Sequence, residues 1–128
     1  MKIKLTSVYV DDQTKALEFY TEKLGFKKKN DFPAGEYRWL TVISPTGHDD
    51  VELLLEPNAN PTAVTYQEEL FEQGIPAASF EVDDINSEFE RLKSSDVKFT
   101  MEPTDVDSAI LAIFEDTVGN LIQIHQVK

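Results

Sequence analysis

The sequence predicts an α+β fold built from two βαβββ modules in tandem, and three features of its 128 residues carry this prediction. The stretch SVYVDDQTKALEFY at residues 7–20 returns in similar form at residues 79–92 as SFEVDDINSEFERL. In both copies apolar and polar residues alternate before an acidic pair and adopt helical spacing after it, which is typical of a strand, a corner and a helix. Apolar runs separated by turn residues follow each copy and predict three further strands.

Composition limits the classes of function that fit the chain. The 24 acidic and 12 basic residues give a net charge of −12, which repels phosphate backbones and argues against nucleic-acid binding. The same charge favours solubility and is compatible with a cationic ligand. The sequence contains no cysteine, no long apolar run and no signal-peptide pattern at MKIKLTSVYV, so we expect a cytoplasmic protein without a membrane span.

The first module is predicted over residues 1–56. Its first strand lies in KIKLTSVYV, and Asp11 and Asp12 cap the following helix because carboxylates accept hydrogen bonds from free backbone N–H groups. Gly25 is placed to end that helix. The apolar stripe of the helix comprises Ala16, Leu17, Tyr20 and Leu24.

Three more strands complete the first module. The first is expected near residues 26–29, followed by a loop that contains Pro33 and Gly35. RWLTVIS and DVELLLE are the other two strands, joined by the turn PTGHD.

The second module, residues 76–128, repeats this order after a connecting segment at 57–75 that contains a short helix. AASFEV is its first strand, and Asp83 and Asp84 cap a helix whose inner face carries Ile85, Phe89 and Leu92. DVKFT, AILAIFE and NLIQIHQV are the remaining strands, the last two joined by DTVGN. Alignment of the hairpin turns places Trp39 with Ile110, Val51 with Ile122, and Glu52 with Gln123.

With VDDQTKALEFYTEKLGF in the first module and EDTVGNLIQIHQ in the last hairpin, the chain resembles the vicinal oxygen chelate superfamily. That superfamily includes glyoxalase I, extradiol dioxygenases, and proteins that confer resistance to fosfomycin or bleomycin. The resemblance implies that the sheet curves around a concave pocket with the helices on its convex side. It also implies a small-molecule ligand and a homodimer, and the strong apolarity of VELLLE and LIQIH adds weak support for the dimer.

The pocket residues follow from the pleat of the strands. We expect Val8, Val10, Phe80 and Val82 to face the helices, so the opposite pleat faces the cavity. The predicted pocket residues are Leu5, Ser7, Tyr9, Trp39, Thr41, Glu52, Leu54, Ala77, Ser79, Gln123 and His125.

The resemblance also implies a position for a divalent metal, which this sequence does not fill. Metal-dependent members carry a histidine where this chain has Leu5 and Ala77, and a carboxylate where it has Glu52 and Gln123. Of these four side chains only Glu52 is a strong metal ligand, so we expect no metal or other cofactor. The alternative is a displaced divalent-metal site formed by Glu52, Glu56 and His125.

Three functional hypotheses remain open on the sequence. The first is a metal-free protein that binds and sequesters a small molecule, like the bleomycin-resistance members. The second is a metal-dependent lyase, isomerase or dioxygenase, and the third is a metal-independent enzyme with Glu52 as general base. Glu52 itself is either a partly exposed carboxylate, paired or not with Arg38, or a cavity carboxylate that accepts a hydrogen bond or attracts a cation.

Overall fold

The computed structural model describes residues 1–128 and confirms an α+β fold with two tandem βαβββ modules. The chain divides into two compact units, Met1–Thr65 and Tyr66–Lys128, and each contains one four-stranded mixed sheet. None of the helices has both the length and the apolarity that crossing a membrane requires.

The first unit contains β1 (Leu5–Val10), α1 (Gln13–Glu18), a π-helical segment (Phe19–Lys23), β2 (Lys27–Ala34), β3 (Tyr37–Ile43) and β4 (Glu52–Pro57). Its strand order is β1-β4-β3-β2, with β1 and β4 parallel and the other pairs antiparallel. Of the predicted caps Asp11 and Asp12, Asp12 is the N-cap of α1 and accepts a hydrogen bond from the backbone N–H of Lys15. Buried core side chains come from Val8, Val10, Ala16, Phe19, Tyr20, Leu40, Val42, Leu53, Leu54 and Leu55.

Two local predictions for this unit are wrong. The helix widens into a π-helical segment, in which the N–H of Leu24 reaches the carbonyl of Phe19, so Phe19 is buried while Leu17 and Leu24 are only half-buried. Pro33 lies in strand β2 instead of a loop. A proline is tolerated there because β2 is an edge strand, where its missing N–H removes no hydrogen bond to a second neighbouring strand.

Helix α2 (Pro61–Gln73) occupies the predicted connecting segment. Its start is held by Asn60, whose side chain accepts from the N–H of Thr62, and its end by Gly74 at φ +77°. Gln67 is buried although it is polar, because its side-chain amide donates to the carbonyl of Val118 and to Asn120 Oδ1.

The second unit contains β5 (Ala78–Glu81), α3 (Ile85–Ser94), β6 (Phe99–Asp105), β7 (Ala109–Glu115) and β8 (Leu121–Val127). Its strand order is β5-β8-β7-β6, again with one parallel pair, β5 and β8. Of the predicted caps Asp83 and Asp84, Asp84 is the N-cap of α3. The inner face of Ile85, Phe89 and Leu92 is buried, which confirms that part of the prediction. The apolar residues of β4 and β8 are largely buried within the chain itself, so their apolarity supplies no support for a dimer.

The turn between β7 and β8 is a buried polar structure. Asp116 Oδ1 accepts from the N–H groups of Val118 and Asn120, and Asn120 donates from its side chain to Asp116 Oδ2. Gly119 has φ +102°, and a Cβ added to it would lie 2.5 Å from Gln67 Nε2. The D–x–x–G–N sequence is therefore a structural turn that glycine and hydrogen bonding specify together.

Candidate functional site

One face of the first sheet collects the predicted pocket residues of this unit. Paired residues on adjacent strands project to the same side, and the registers pair Leu5 with Glu52, Ser7 with Leu54, and Thr41 with Leu54. Alternation then adds Tyr9, Trp39 and Glu56 to the same face. The residues on this face are Leu5, Ser7, Tyr9, Trp39, Thr41, Glu52, Leu54 and Glu56, opposite the face of Val8 and Val10.

Glu52 is held on this face by contacts with three neighbouring side chains. Its Oε1 accepts from Thr41 Oγ1 at 2.7 Å and from Asn30 Nδ2 at 2.9 Å, and its Oε2 lies 3.9 Å from Lys29 Nζ. The pKa of Glu52 is lowered mainly by the hydrogen bond from Thr41; burial opposes this, while Asn30 and the charges of Lys29 and Lys4 lower it further. Glu52 is therefore ionised near neutral pH. Of the two interpretations of Glu52 from the sequence, the structure agrees with the carboxylate that accepts hydrogen bonds, since Thr41 and Asn30 both donate to it.

Arg38 does not pair with Glu52. Its guanidinium forms two hydrogen bonds with Asp31, at 3.0 and 2.8 Å, and a third with Thr14 at 2.9 Å. Arg38 alternates with Trp39 along β3 and therefore lies on the face of the helices, on the opposite side from Glu52. The suggested pairing of Glu52 with Arg38 is wrong for this reason.

The equivalent face of the second sheet carries a polar chain. Gln123 Nε2 donates to Ser79 Oγ at 2.8 Å, and Ser79 Oγ lies 2.7 Å from His125 Nδ1. Ser79 is paired with Gln123 across β5 and β8, and Ala77, immediately before β5, donates its N–H to the carbonyl of Leu121. Leu111 and Ile113 of β7 face the same side, since they are paired with His125 and Gln123.

The alignment of Glu52 with Gln123 is wrong by two residues. Counted from the N-caps Asp12 and Asp84, Ser7 and Ser79 are equivalent, and these residues pair with Leu54 and Gln123. The loop before β4 spans residues 44–51 and that before β8 only residues 116–120, so alignment by the turns shifts the last strand.

The corrected equivalences are Glu52 with Leu121, Leu54 with Gln123, Glu56 with His125, and Trp39 with Leu111.

The residues present do not fit the four-ligand metal site of the superfamily. Leu5 and Ala77 have no side-chain atom that can bind a metal. Under the corrected register Glu52 is equivalent to Leu121 and Gln123 is equivalent to Leu54, and neither leucine can bind a metal. Three or more aspartate, glutamate or histidine side chains do not come together anywhere in the chain in a metal-binding group. His48, the other histidine, is exposed in the loop before β4.

Sequence reasoning missed Asn30 and Lys29 as partners of Glu52. Asn30 is the cross-strand partner of Thr41, and its backbone N–H donates to Thr41 Oγ1 at 3.2 Å. The expected strand ended at residue 29, however, and so stopped one residue short of Asn30. The apolar residues Leu111 and Ile113 were missed because the alignment of the two hairpins was shifted.

Comparison with known proteins identifies the family of the chain. The family model of the Glyoxalase/Bleomycin resistance protein/Dioxygenase superfamily matches residues 2–124. The chain therefore belongs to this superfamily, which confirms the resemblance seen in its sequence.

Individual relatives cover nearly the whole chain. The uncharacterized protein YurT of Bacillus subtilis (strain 168) is 56% identical over 126 residues, which are 98% of this chain and 99% of that protein. The crystal structure of UcmS2 has 31% sequence identity to this chain and a TM-score of 0.84, and the match covers 98% of this chain and 97% of the UcmS2 chain. The crystal structure of TnmS3, an antibiotic binding protein from Streptomyces sp. CB03234, is 29% identical with a TM-score of 0.80, covering 100% and 97%.

Proposed function

We propose that this protein binds and sequesters a small organic molecule, in the manner of an antibiotic-binding or resistance protein, and that it does so without a resident metal. The binding surface is the sheet face opposite the helices. The single observation that carries the proposal is the composition of the first sheet face. Tyr9 and Trp39 are half-buried on this face and lie on the same side as Glu52. Two neutral donors, Thr41 and Asn30, hold the carboxylate of Glu52 in place. Apolar walls with few oriented polar groups are typical of small-molecule sites.

The likeness to TnmS3 supports the ligand class. That protein is described as antibiotic binding, and it matches this chain over its whole length. An antibiotic-like molecule would place an aromatic or aliphatic body against the half-buried side chains and a polar group near Glu52. The lack of a paired general acid or an activated nucleophile next to Glu52 disfavours catalysis by this carboxylate, since its neighbours are a threonine, an asparagine and a lysine.

The proposal is tested with the intrinsic fluorescence of Trp39, because it is the only tryptophan of the chain. Titration with a panel of aromatic antibiotics should give saturable quenching for at least one compound, with the affinity confirmed by calorimetry. Tyr9→Ala should weaken the binding, while Lys15→Ala, at an exposed position of helix α1, should not. Failure of every compound to bind by both methods would overturn the proposal.

Metal analysis distinguishes the alternative function. The absence of donors at Leu5 and Ala77 leads us to expect no stoichiometric transition metal in the purified protein. The alternative is a metal-dependent enzyme that uses Glu52, Glu56 and His125, and Glu56 and His125 do hold equivalent strand positions. One equivalent of tightly bound metal, whose removal by a chelator abolishes an activity, would establish this alternative.

We also propose a cytoplasmic homodimer, on the resemblance alone. Light scattering at micromolar concentration should give twice the chain mass of 14.5 kDa. A monomer under these conditions would refute the dimer without affecting the proposed ligand binding.

A further inference from the structure

We infer that the chain Gln123–Ser79–His125 is a binding site for a neutral carbonyl oxygen, in which His125 donates the hydrogen bond from Nε2. The inference rests on the proposed function, because it names the chemical group of the ligand that the second sheet recognises. Ser79 is its positioning residue and acts through His125.

The hydrogen bonds of Ser79 favour one tautomer of the neutral imidazole. The amide Nε2 of Gln123 can only donate, so Ser79 Oγ accepts from it at 2.8 Å. The hydroxyl proton of Ser79 is then free to donate, and Nδ1 of His125, at 2.7 Å, is the one acceptor that Ser79 contacts. A neutral imidazole that accepts at Nδ1 carries its proton on Nε2. His125 therefore presents an N–H donor on its other side.

That donor has no partner within the chain. Ser79 Oγ is the one hydrogen-bonding contact of the His125 side chain, which is half-buried. A partly desolvated N–H on a binding face favours a ligand atom that can accept it. His125 differs in this from Glu52, whose carboxylate can only accept.

The surroundings select a neutral acceptor on an apolar body. Leu111 lies beside His125 and Ile113 beside Gln123 in β7, and both are half-buried, so they offer apolar contact next to the donor. In β5, the neighbouring strand on the other side of β8, Glu81 is the cross-strand partner of His125. The chain as a whole carries a net charge of −12. Both charges repel an anion, so a ketone, quinone or amide oxygen fits better than a carboxylate or phenolate.

Matched probes with a naphthalene body test the ligand group. 2-Acetylnaphthalene offers a neutral carbonyl oxygen, 2-ethylnaphthalene has nearly the same shape without it, and 2-naphthoate offers an anionic oxygen. The acetyl compound should bind about five- to tenfold more tightly than the ethyl compound, as one added hydrogen bond allows. This preference should vanish in His125→Phe, whose fold is checked by circular dichroism. Glu36→Gln, at the exposed turn after β2, is the control.

Long-range proton–nitrogen NMR spectra test the tautomer without any ligand. At about pH 8, His125 should show its proton on Nε2. Ser79→Ala should produce a mixture of tautomers and reduce the preference for the acetyl compound, while His48 keeps its signals. A structural role of Ser79 alone would leave the tautomer unchanged.

Each outcome bears on the inference separately from the proposed function. A proton on Nδ1 in the wild-type protein, equal affinity for the acetyl and ethyl compounds, or binding of neither would overturn the carbonyl site. Tighter binding of 2-naphthoate would replace the neutral acceptor with an anion and would also contradict it. The proposed function stands or falls on the antibiotic panel, whatever these probes show.

Discussion

Thr41 Oγ1 donates a hydrogen bond of 2.7 Å to Glu52 Oε1, so that a fully buried hydroxyl orients a carboxylate on the face of the first sheet. The same hydroxyl accepts from the backbone N–H of Asn30, whose side chain also donates to Glu52 Oε1. Three residues on three strands thus form a closed set of hydrogen bonds. Only Glu52 Oε2, near Lys29, accepts no hydrogen bond from the protein and is available to a ligand.

Thr41→Val should raise the pKa of Glu52 towards its ordinary value of 4.5, because valine keeps the shape of threonine but removes the largest cause of the lowered pKa. The free energy of unfolding should fall by roughly 1–3 kcal/mol, as expected for a lost hydrogen bond to a charged group. Carboxyl NMR titration and urea unfolding measure the two effects. Thr100→Val, an exposed threonine of β6, should change neither. An unchanged pKa of Glu52 would show that Thr41 does not stabilise the ionised carboxylate.

Glu52 should also make stability depend on pH in a defined direction. Its pKa is lower in the folded than in the unfolded chain, so the unfolded chain binds the proton more readily. The stabilisation is therefore complete above the ordinary value of 4.5 and is lost as the pH falls through the lowered folded value. In Glu52→Gln, the free energy of unfolding should decline less steeply on acidification below 4.5 than in the wild type. Parallel curves for the two proteins would contradict the assignment.

Gly119→Ala should destabilise the protein by more than Gly47→Ala. Both glycines have positive φ, +102° and +94°, so both substitutions impose backbone strain of about 1–3 kcal/mol. Only at Gly119 does the added Cβ meet another group, since Gln67 Nε2 would lie 2.5 Å away, whereas nothing lies within 4 Å at Gly47. The neighbouring Gln67 is held by two hydrogen bonds and cannot move without losing them.

Urea unfolding of the two glycine variants isolates this contact from the backbone strain. The extra loss at Gly119 should be about 1–3 kcal/mol, the usual penalty of overpacking. Equal losses in the two variants would show that the turn yields to the methyl group without disturbing Gln67.

The sequence predicts the modules well because their signals are local. Asp12 and Asp84 cap their helices, and the inner face of α3 is buried, since capping and helical periodicity depend on neighbours along the chain. Register is a different matter. The loop before β4 is three residues longer than the loop before β8, so an alignment by the turns pairs the wrong residues of the last strands. The sequence repeat alone does not reveal this difference in register.

The partners of the site residues were harder to predict than the residues themselves. The sequence predicts both Glu52 and His125 as site residues, yet it ends β2 before Asn30 and does not reveal the register shift at Lys29. A hydrogen bond such as that between Ser79 and His125 joins positions far apart in the chain, and only the strand pairing brings them together. Which polar groups are satisfied and which are available to a ligand follows from these contacts.

Glu52→Gln should weaken binding of a cationic ligand while it leaves the fold intact. Glutamine keeps the size of the side chain and an oxygen that accepts from Thr41 and Asn30, so the surrounding hydrogen bonds can persist. What is lost is the charge, and with it the attraction between Oε2 and an ammonium group.

With 2-naphthylmethylammonium as the probe, affinity should fall about tenfold, in line with the strength of charge-assisted hydrogen bonds. Glu36→Gln makes the same change in net charge at an exposed turn and should leave the affinity nearly unchanged. Calorimetry in low and moderate salt gives the affinities of the two variants, and the loss of affinity in Glu52→Gln should shrink as salt screens the charge.

Lys29 already lies 3.9 Å from Oε2 and competes for it, so Lys29→Gln should strengthen binding of the same probe. If Glu52→Gln and Glu36→Gln bind the probe equally well, Glu52 has only a structural role in the sheet and its carboxylate does not bind the cationic group of the ligand.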